Sequence, residues 1–93
     1  VKIPSRVRIK RGVRYEIVRQ TEIDGKPDTL GLCDPNTRHL YIKSDLSKTE
    51  EIKTYIHEML HALEAEWDIK IPHESVYRLE EAIYKFLTLN KLI

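Results

Sequence analysis

Residues 47–67 read SKTEEIKTYIHEMLHALEAEW, and this stretch decides the fold because the apolar period changes there. Ile52, Tyr55, Ile56, Met59, Leu60, Leu63 and Trp67 recur at steps of three and four, the spacing of one helical face. Ser47 and Glu50 fit a capping box, in which the serine oxygen accepts from the first turn and the glutamate reaches back. The pattern predicts a helix from about Lys48 to about Glu66. Pro72 blocks its continuation and opens a second helix. That helix carries Val76, Leu79, Ile83, Phe86 and Leu87 on one face and should end near Asn90.

Upstream the period is two. Val7 and Ile9, then Val13, Tyr15 and Ile17, alternate with charged residues, as half-buried strands do. Gly12 marks a turn or bulge between them. Asp24-Gly25-Lys26-Pro27-Asp28 is an exposed loop by its own chemistry. Leu30 and Leu32, then Leu40 and Ile42, alternate on either side of Asp34-Pro35-Asn36-Thr37-Arg38, which reads as a hairpin. The plan is α+β: a small, mostly antiparallel sheet of three or four strands, then two helices.

The chain has 93 residues, 41% hydrophobic and 33% charged, which fits one globular domain over 1–93. At this length about 60–65% of the unfolded surface is buried, so the core is modest. No apolar run approaches the ~20 residues of a membrane span, and Val1-Lys2-Ile3-Pro4 is not the start of a signal peptide. A single cysteine, Cys33, excludes an internal disulfide and C-x-x-C chemistry, which points to a reducing, cytoplasmic setting. Net charge is +1, yet the first 19 residues hold seven basic side chains against Glu16 alone. Such an arm can meet nucleic acid. The plainer account is a solvated strand face, because the basic residues alternate with apolar ones.

The chemistry sits at His57-Glu58-Met59-Leu60-His61, an H-E-x-x-H motif on the first helix. Residues four apart on a helix are neighbours, so both imidazoles can reach one zinc ion from the same side. Glu58 then stands where it can take a proton from water and later return it. Chance yields the motif in roughly 1–2% of shuffled chains of this composition. Glu64 follows too closely on the same helix to complete a tetrahedron, so it reads as solvated or as an outer partner. A third ligand is needed. In the metzincin pattern a Gly and a His follow, and here those places hold Glu64 and Trp67, which excludes that class. Glu80 lies at the margin of the buried face of the second helix, beside Val76, Ile83 and Leu87, and is favoured over Glu81, which points nearly the opposite way. His73, two turns before Glu80, is the rival: a ligand, an oxyanion donor or a helix-start residue, with a structural or outer role favoured. Tyr77 and Tyr84 flank Glu80, and either hydroxyl can reach the cleft to donate to a tetrahedral intermediate, although packing is the commoner role.

A His57-Glu58-x-x-His61 helix followed by a helical Glu80 resembles the gluzincins, a family of zinc metallopeptidases. The short length, the strand Leu40-Tyr41-Ile42-Lys43 and the run Leu79-Glu80-x-Ala82-Ile83 resemble its minimal members, the minigluzincins, and short phage-type H-E-x-x-H proteins look similar. The resemblance covers roughly residues 30–90, and only the H-E-x-x-H part of it is specific. It implies one zinc per chain held by His57, His61 and Glu80, Glu58 as general base, and peptide bonds as substrate. Many larger gluzincins carry an acidic residue four positions after the ligand glutamate to orient a motif histidine. Tyr84 stands there in this chain, so the outer partners must be built differently. Minimal members also suggest a latent form, with residues 89–93 or the N-terminal arm lying in the cleft. Cys33 as a capping thiolate is less expected than Cys33 as a small core residue.

The strand at 40–43, if it lies at a sheet edge, would hold an extended peptide by main-chain hydrogen bonds. Two other readings stand beside the peptidase. One is a catalytically silent zinc module that stabilises an undersized core. The other is a nucleic-acid-associated protein using the basic arm. A bare edge strand can also pair with a second copy, so the sequence leaves the oligomeric state open.

Overall fold

The computed structural model describes residues 2–93, and Val1 lies outside the described residues. Strands β1 (Arg6–Lys10), β2 (Val13–Gln20), β3 (Gly31–Asp34) and β4 (His39–Lys43) precede helices α1 (Lys48–Trp67) and α2 (His73–Leu89). The four strands form one mixed sheet in the order β1-β2-β4-β3. β1–β2 and β3–β4 are antiparallel hairpins, and β2 runs parallel to β4 where they join. This is the α+β plan read from the sequence, with one parallel pair in the sheet.

Local chemistry accounts for each turn. Gly12 sits at φ +79°, a left-handed conformation that lets β1 fold tightly onto β2. Asp34 Oδ1 accepts from the Asn36 backbone N–H at 3.1 Å, an Asx turn that opens the β3–β4 loop. Ser47 caps α1 by accepting from the Glu50 N–H at 3.2 Å. The Glu50 carboxylate meets the Ser47 hydroxyl at 3.2 Å, so its return contact goes to the side chain.

Both helices lie on one side of the sheet. α1 packs on β1, β3 and β4, whereas α2 packs on α1 alone. The core therefore has two parts. Ile3, Ile9, Val13, Tyr15, Ile17, Leu40, Ile42 and Ala62 fill the space between sheet and α1. Ile56, Leu60 and Val76 fill the space between the helices, with Ile52, Met59, Ile83 and Leu87 around them. Each fully buried aliphatic side chain there contributes about 1.5–3 kcal/mol. Tyr15 is buried with its hydroxyl satisfied, donating to Glu66 at 2.7 Å.

Three features of the sequence reading change. Strand 40–43 is no edge: β4 is hydrogen-bonded by β2 on one side and β3 on the other, so β3 is the free edge near α1. Trp67 is 53% exposed rather than part of the α1 stripe. Its indole N–H donates to the Ile9 carbonyl at 3.2 Å, and the Lys10 ammonium lies 5.6 Å from its ring centroid. Leu79 and Phe86 are exposed because α2 meets only α1, and the narrow stripe of Val76, Ile83 and Leu87 suffices for that contact.

Candidate metal centre

His57 and His61 stand one turn apart on α1, and the helical rise brings their rings together with centroids 4.9 Å apart. Their Nε2 atoms face each other at 3.3 Å. Two imidazole nitrogens bound to one tetrahedral ion at 2.0–2.1 Å would stand about 3.3–3.4 Å apart. The other edge of each ring is also engaged: His57 Nδ1 lies 2.8 Å from Glu80 Oε1, and His61 Nδ1 lies 2.8 Å from Glu64 Oε1. An ionised carboxylate only accepts, so this arrangement has each Nδ1 donating to its carboxylate and each Nε2 turning a lone pair toward the other. Two lone pairs at that distance need a shared cation. A metal ion bound to both lone pairs would supply it.

The acidic residues separate into distinct places. The sequence reading has Glu80 as third ligand, and the structure places its carboxylate on the Nδ1 edge of His57, the edge opposite the Nε2 pair. Glu81 is exposed and pairs with Lys53 at 2.7 Å. Glu64 Oε2 accepts from the Ile71 N–H at 2.9 Å while Oε1 meets His61. The Ile71 N–H, and after it the His61 ring, holds the Glu64 carboxyl below the usual carboxylate range. One carboxylate thus fixes the His61 ring and ties the α1–α2 connection to the same spot. Glu80 and Glu64 thus hold the Nδ1 edges of the two motif histidines, whereas Tyr84, four residues after Glu80, takes no part in orienting either ring.

Glu58 is 7% exposed. Burial pushes its carboxyl up to about 7, with His61 opposing and the Glu80 charge adding. No hydrogen bond from the described residues reaches it, and it opens onto two adjoining recesses. The first, of about 380 Å³, is lined by Leu30, Thr54, Tyr77 and Glu80 among others. The second, of about 620 Å³, is lined by Cys33, His61, Glu64 and Ile69 among others. Gly31, His57 and Glu58 belong to both, so the two form one groove along the inner side of the β3 edge.

Gly31 makes this close approach feasible. A Cβ on it would stand 2.6 Å from Thr54 Cγ2, 2.9 Å from the Tyr41 carbonyl oxygen and 3.0 Å from Glu58 Oε2. The sequence reading passed over Gly31, and its signal was an isolated glycine beside a strand, which marks close backbone approach. Cys33 is half-buried and its thiol is pushed up to about 12, by burial first and then by the Glu58 charge. It stays protonated, as a core residue rather than a thiolate.

His73 and Tyr77 are brought to the histidine pair. The His73 ring centroid lies 6.5 Å from that of His57 and 6.4 Å from that of His61. Tyr77 lies 5.0 Å from His57 and 5.2 Å from His73. Tyr84 is not brought there: its hydroxyl meets Thr49 Oγ1 at 3.3 Å, and the Lys53 ammonium sits 5.1 Å from its ring centroid. Residues 89–93 and the described part of the N-terminal arm line neither recess. Among the described residues, no group of three or more His, Cys, Asp or Glu side chains is close enough, as placed, to hold a metal ion. No helix among them is long and apolar enough to cross a membrane.

Compared with protein-family models, curated proteins and solved structures, the chain matches none of them.

Proposed function

We propose that this chain is a zinc-dependent peptidase domain, with His57 and His61 holding one zinc ion and Glu58 acting as general base. The observation that carries the reading is the pair of Nε2 atoms at 3.3 Å, each ring fixed from behind by a carboxylate, beside a buried glutamate. This is the carboxylate–histidine arrangement that sets the tautomer of zinc-binding imidazoles. The donor set fits zinc in softness and spacing. Zinc held there supplies Lewis acidity toward a carbonyl and makes water acidic enough to attack at neutral pH.

The chain's own residues do the rest. Glu58, buried next to His57 and open to both recesses, stands where it can take a proton from the attacking water and pass it to the leaving amine. The substrate lies in the groove as an extended strand. The Lys43 N–H donates to the Leu30 carbonyl, so by strand alternation Leu32 and Asp34 also face β4. Gly31 and Cys33 then turn their N–H and C=O groups to the open edge, where a peptide main chain can pair beside Glu58. Tyr77 borders the same recess.

Glu58→Gln tests the assignment. The variant should bind zinc as the wild type does and lose about 10²–10⁴-fold in hydrolysis of unstructured peptides. Unchanged hydrolysis would refute the role of Glu58. A wild type that binds zinc yet cleaves no peptide would favour the silent zinc module.

A second reading, a polyanion-binding face, is favoured by one observation. Arg8 and Arg14 are directly opposite in the β1–β2 ladder, both are exposed, and no acidic side chain of the described residues pairs with either. Opposed like charges destabilise a sheet by roughly 0.2–1 kcal/mol. Phosphate groups laid on the uncovered sheet face would relieve that repulsion.

A further inference from the structure

We propose that His73 is the third protein ligand of the zinc ion, and that Glu80 and Glu64 act as outer partners of His57 and His61 rather than as ligands. The inference rests on the zinc reading above and changes its ligand set. Its starting point is a symmetry in the distances. The His73 centroid stands 6.5 Å from His57 and 6.4 Å from His61, so it lies on the plane that bisects the pair. An ion bound in line with both Nε2 lone pairs is likewise equidistant from the two centroids.

The size of the gap is chemically meaningful. Imidazoles sharing one tetrahedral zinc through nitrogen have centroids roughly 5 Å apart. His57 and His61 meet that value at 4.9 Å, and His73 exceeds it by roughly 1.5 Å. A side-chain rotation or a small shift of the first turn of α2 covers such a distance. Glu80 is differently placed. With Oε1 2.8 Å from Nδ1, that oxygen lies roughly 6–7 Å from an ion bound at the Nε2 of the same ring. Joining the ion would require Glu80 to abandon the contact that orients His57.

The condition of the His73 ring agrees. His57, His61 and His39 each have a ring nitrogen engaged, whereas neither nitrogen of His73 has a hydrogen-bond partner among the described residues. His73 does not cap its own helix: it is the first residue of α2, after Pro72, and the start of α2 has no side-chain cap. Its position is nonetheless secured, because Glu64 holds the Ile71 N–H two residues before it and the His61 ring at the same time. Tyr77, one turn further along α2, stands against both His57 and His73 and walls the third side. Three imidazoles with an open fourth place form a recognised catalytic zinc donor set, and here both carboxylates remain free to hold the rings.

The test is X-ray absorption of the zinc-loaded full chain, together with zinc affinity by competition against a chromophoric chelator, for the wild type, His73→Ala and Glu80→Gln. The expected wild-type spectrum fits three imidazole ligands on the zinc ion. His73→Ala should show two and bind zinc more than about 100-fold more weakly, beyond the ~10–100-fold that losing an outer partner costs. Glu80→Gln should keep three imidazoles and fall within that smaller range. His73 is exposed, so the metal-free His73→Ala chain should melt with the wild type, and this control separates a ligand effect from misfolding. Two imidazoles in the wild type, or wild-type affinity in His73→Ala, would overturn the assignment while leaving the zinc reading intact. A wild type that takes up no zinc would overturn both.

Discussion

Gly31→Ala puts the geometry of the groove to a quantitative test. The added methyl would meet Thr54 Cγ2 at 2.6 Å, the Tyr41 carbonyl oxygen at 2.9 Å and Glu58 Oε2 at 3.0 Å. Two of these belong to α1 and one to β4, so relief requires β3 to move away from both. Overpacking of this kind costs about 1–3 kcal/mol. Replacing a glycine also restricts the unfolded chain, which returns about 0.4–1 kcal/mol. The net expectation is a loss of about 1–2 kcal/mol, or a fall in Tm of roughly 4–16 °C for a domain of this size. Thermal and urea denaturation read the stability, and peptide hydrolysis reads the displacement of Glu58. Thr54→Ser removes the methyl that makes the shortest contact, so the double variant Gly31→Ala/Thr54→Ser should recover about 0.5–1 kcal/mol relative to additivity. A Gly31→Ala chain as stable and as active as the wild type would refute the close approach of β3 to Glu58.

Other consequences follow from charge. Cys33 is pushed up to about 12, and Tyr15 is raised as well, by burial and its hydrogen bond to Glu66. The folded chain keeps protons on these groups that the unfolded chain releases, so stability should be full below about pH 9 and fall as pH rises toward 12. Melting curves across that range check the sign, and Cys33→Ala should flatten the slope; a constant Tm would contradict it. For the polyanion reading, Arg8→Ala and Arg14→Ala should each weaken retention on heparin and lower the salt slope of binding by about one. Retention that is absent in the wild type, or insensitive to both changes, would remove that reading.

What the sequence makes legible is local. The cap at Ser47, the 3.6-residue period of α1, the hairpin around Asp34 and the i, i+4 pairing of His57 and His61 each depend on neighbours within a few residues. Strand order does not. β4 lies inside the sheet because residues 21–30 carry the chain past it to form β3 first, and the alternation of Leu40 and Ile42 is the same for an inner strand as for an edge. The same limit applies to Trp67, Leu79 and Phe86, whose exposure depends on α2 covering only the far side of α1. At the site, periodicity places Glu80 at a core margin near the motif. It does not say which edge of the His57 ring the carboxylate will reach. Glu64 at i+3 from His61 is within contact distance by helical spacing, yet its second bond, to Ile71, depends on how the connection to α2 folds back.

The most direct measurement for the central claim is zinc content per chain after reconstitution, in the wild type and in His57→Ala and His61→Ala. The facing Nε2 pair predicts about one zinc in the wild type and little in either variant. A wild type that holds no zinc would contradict the metallopeptidase account.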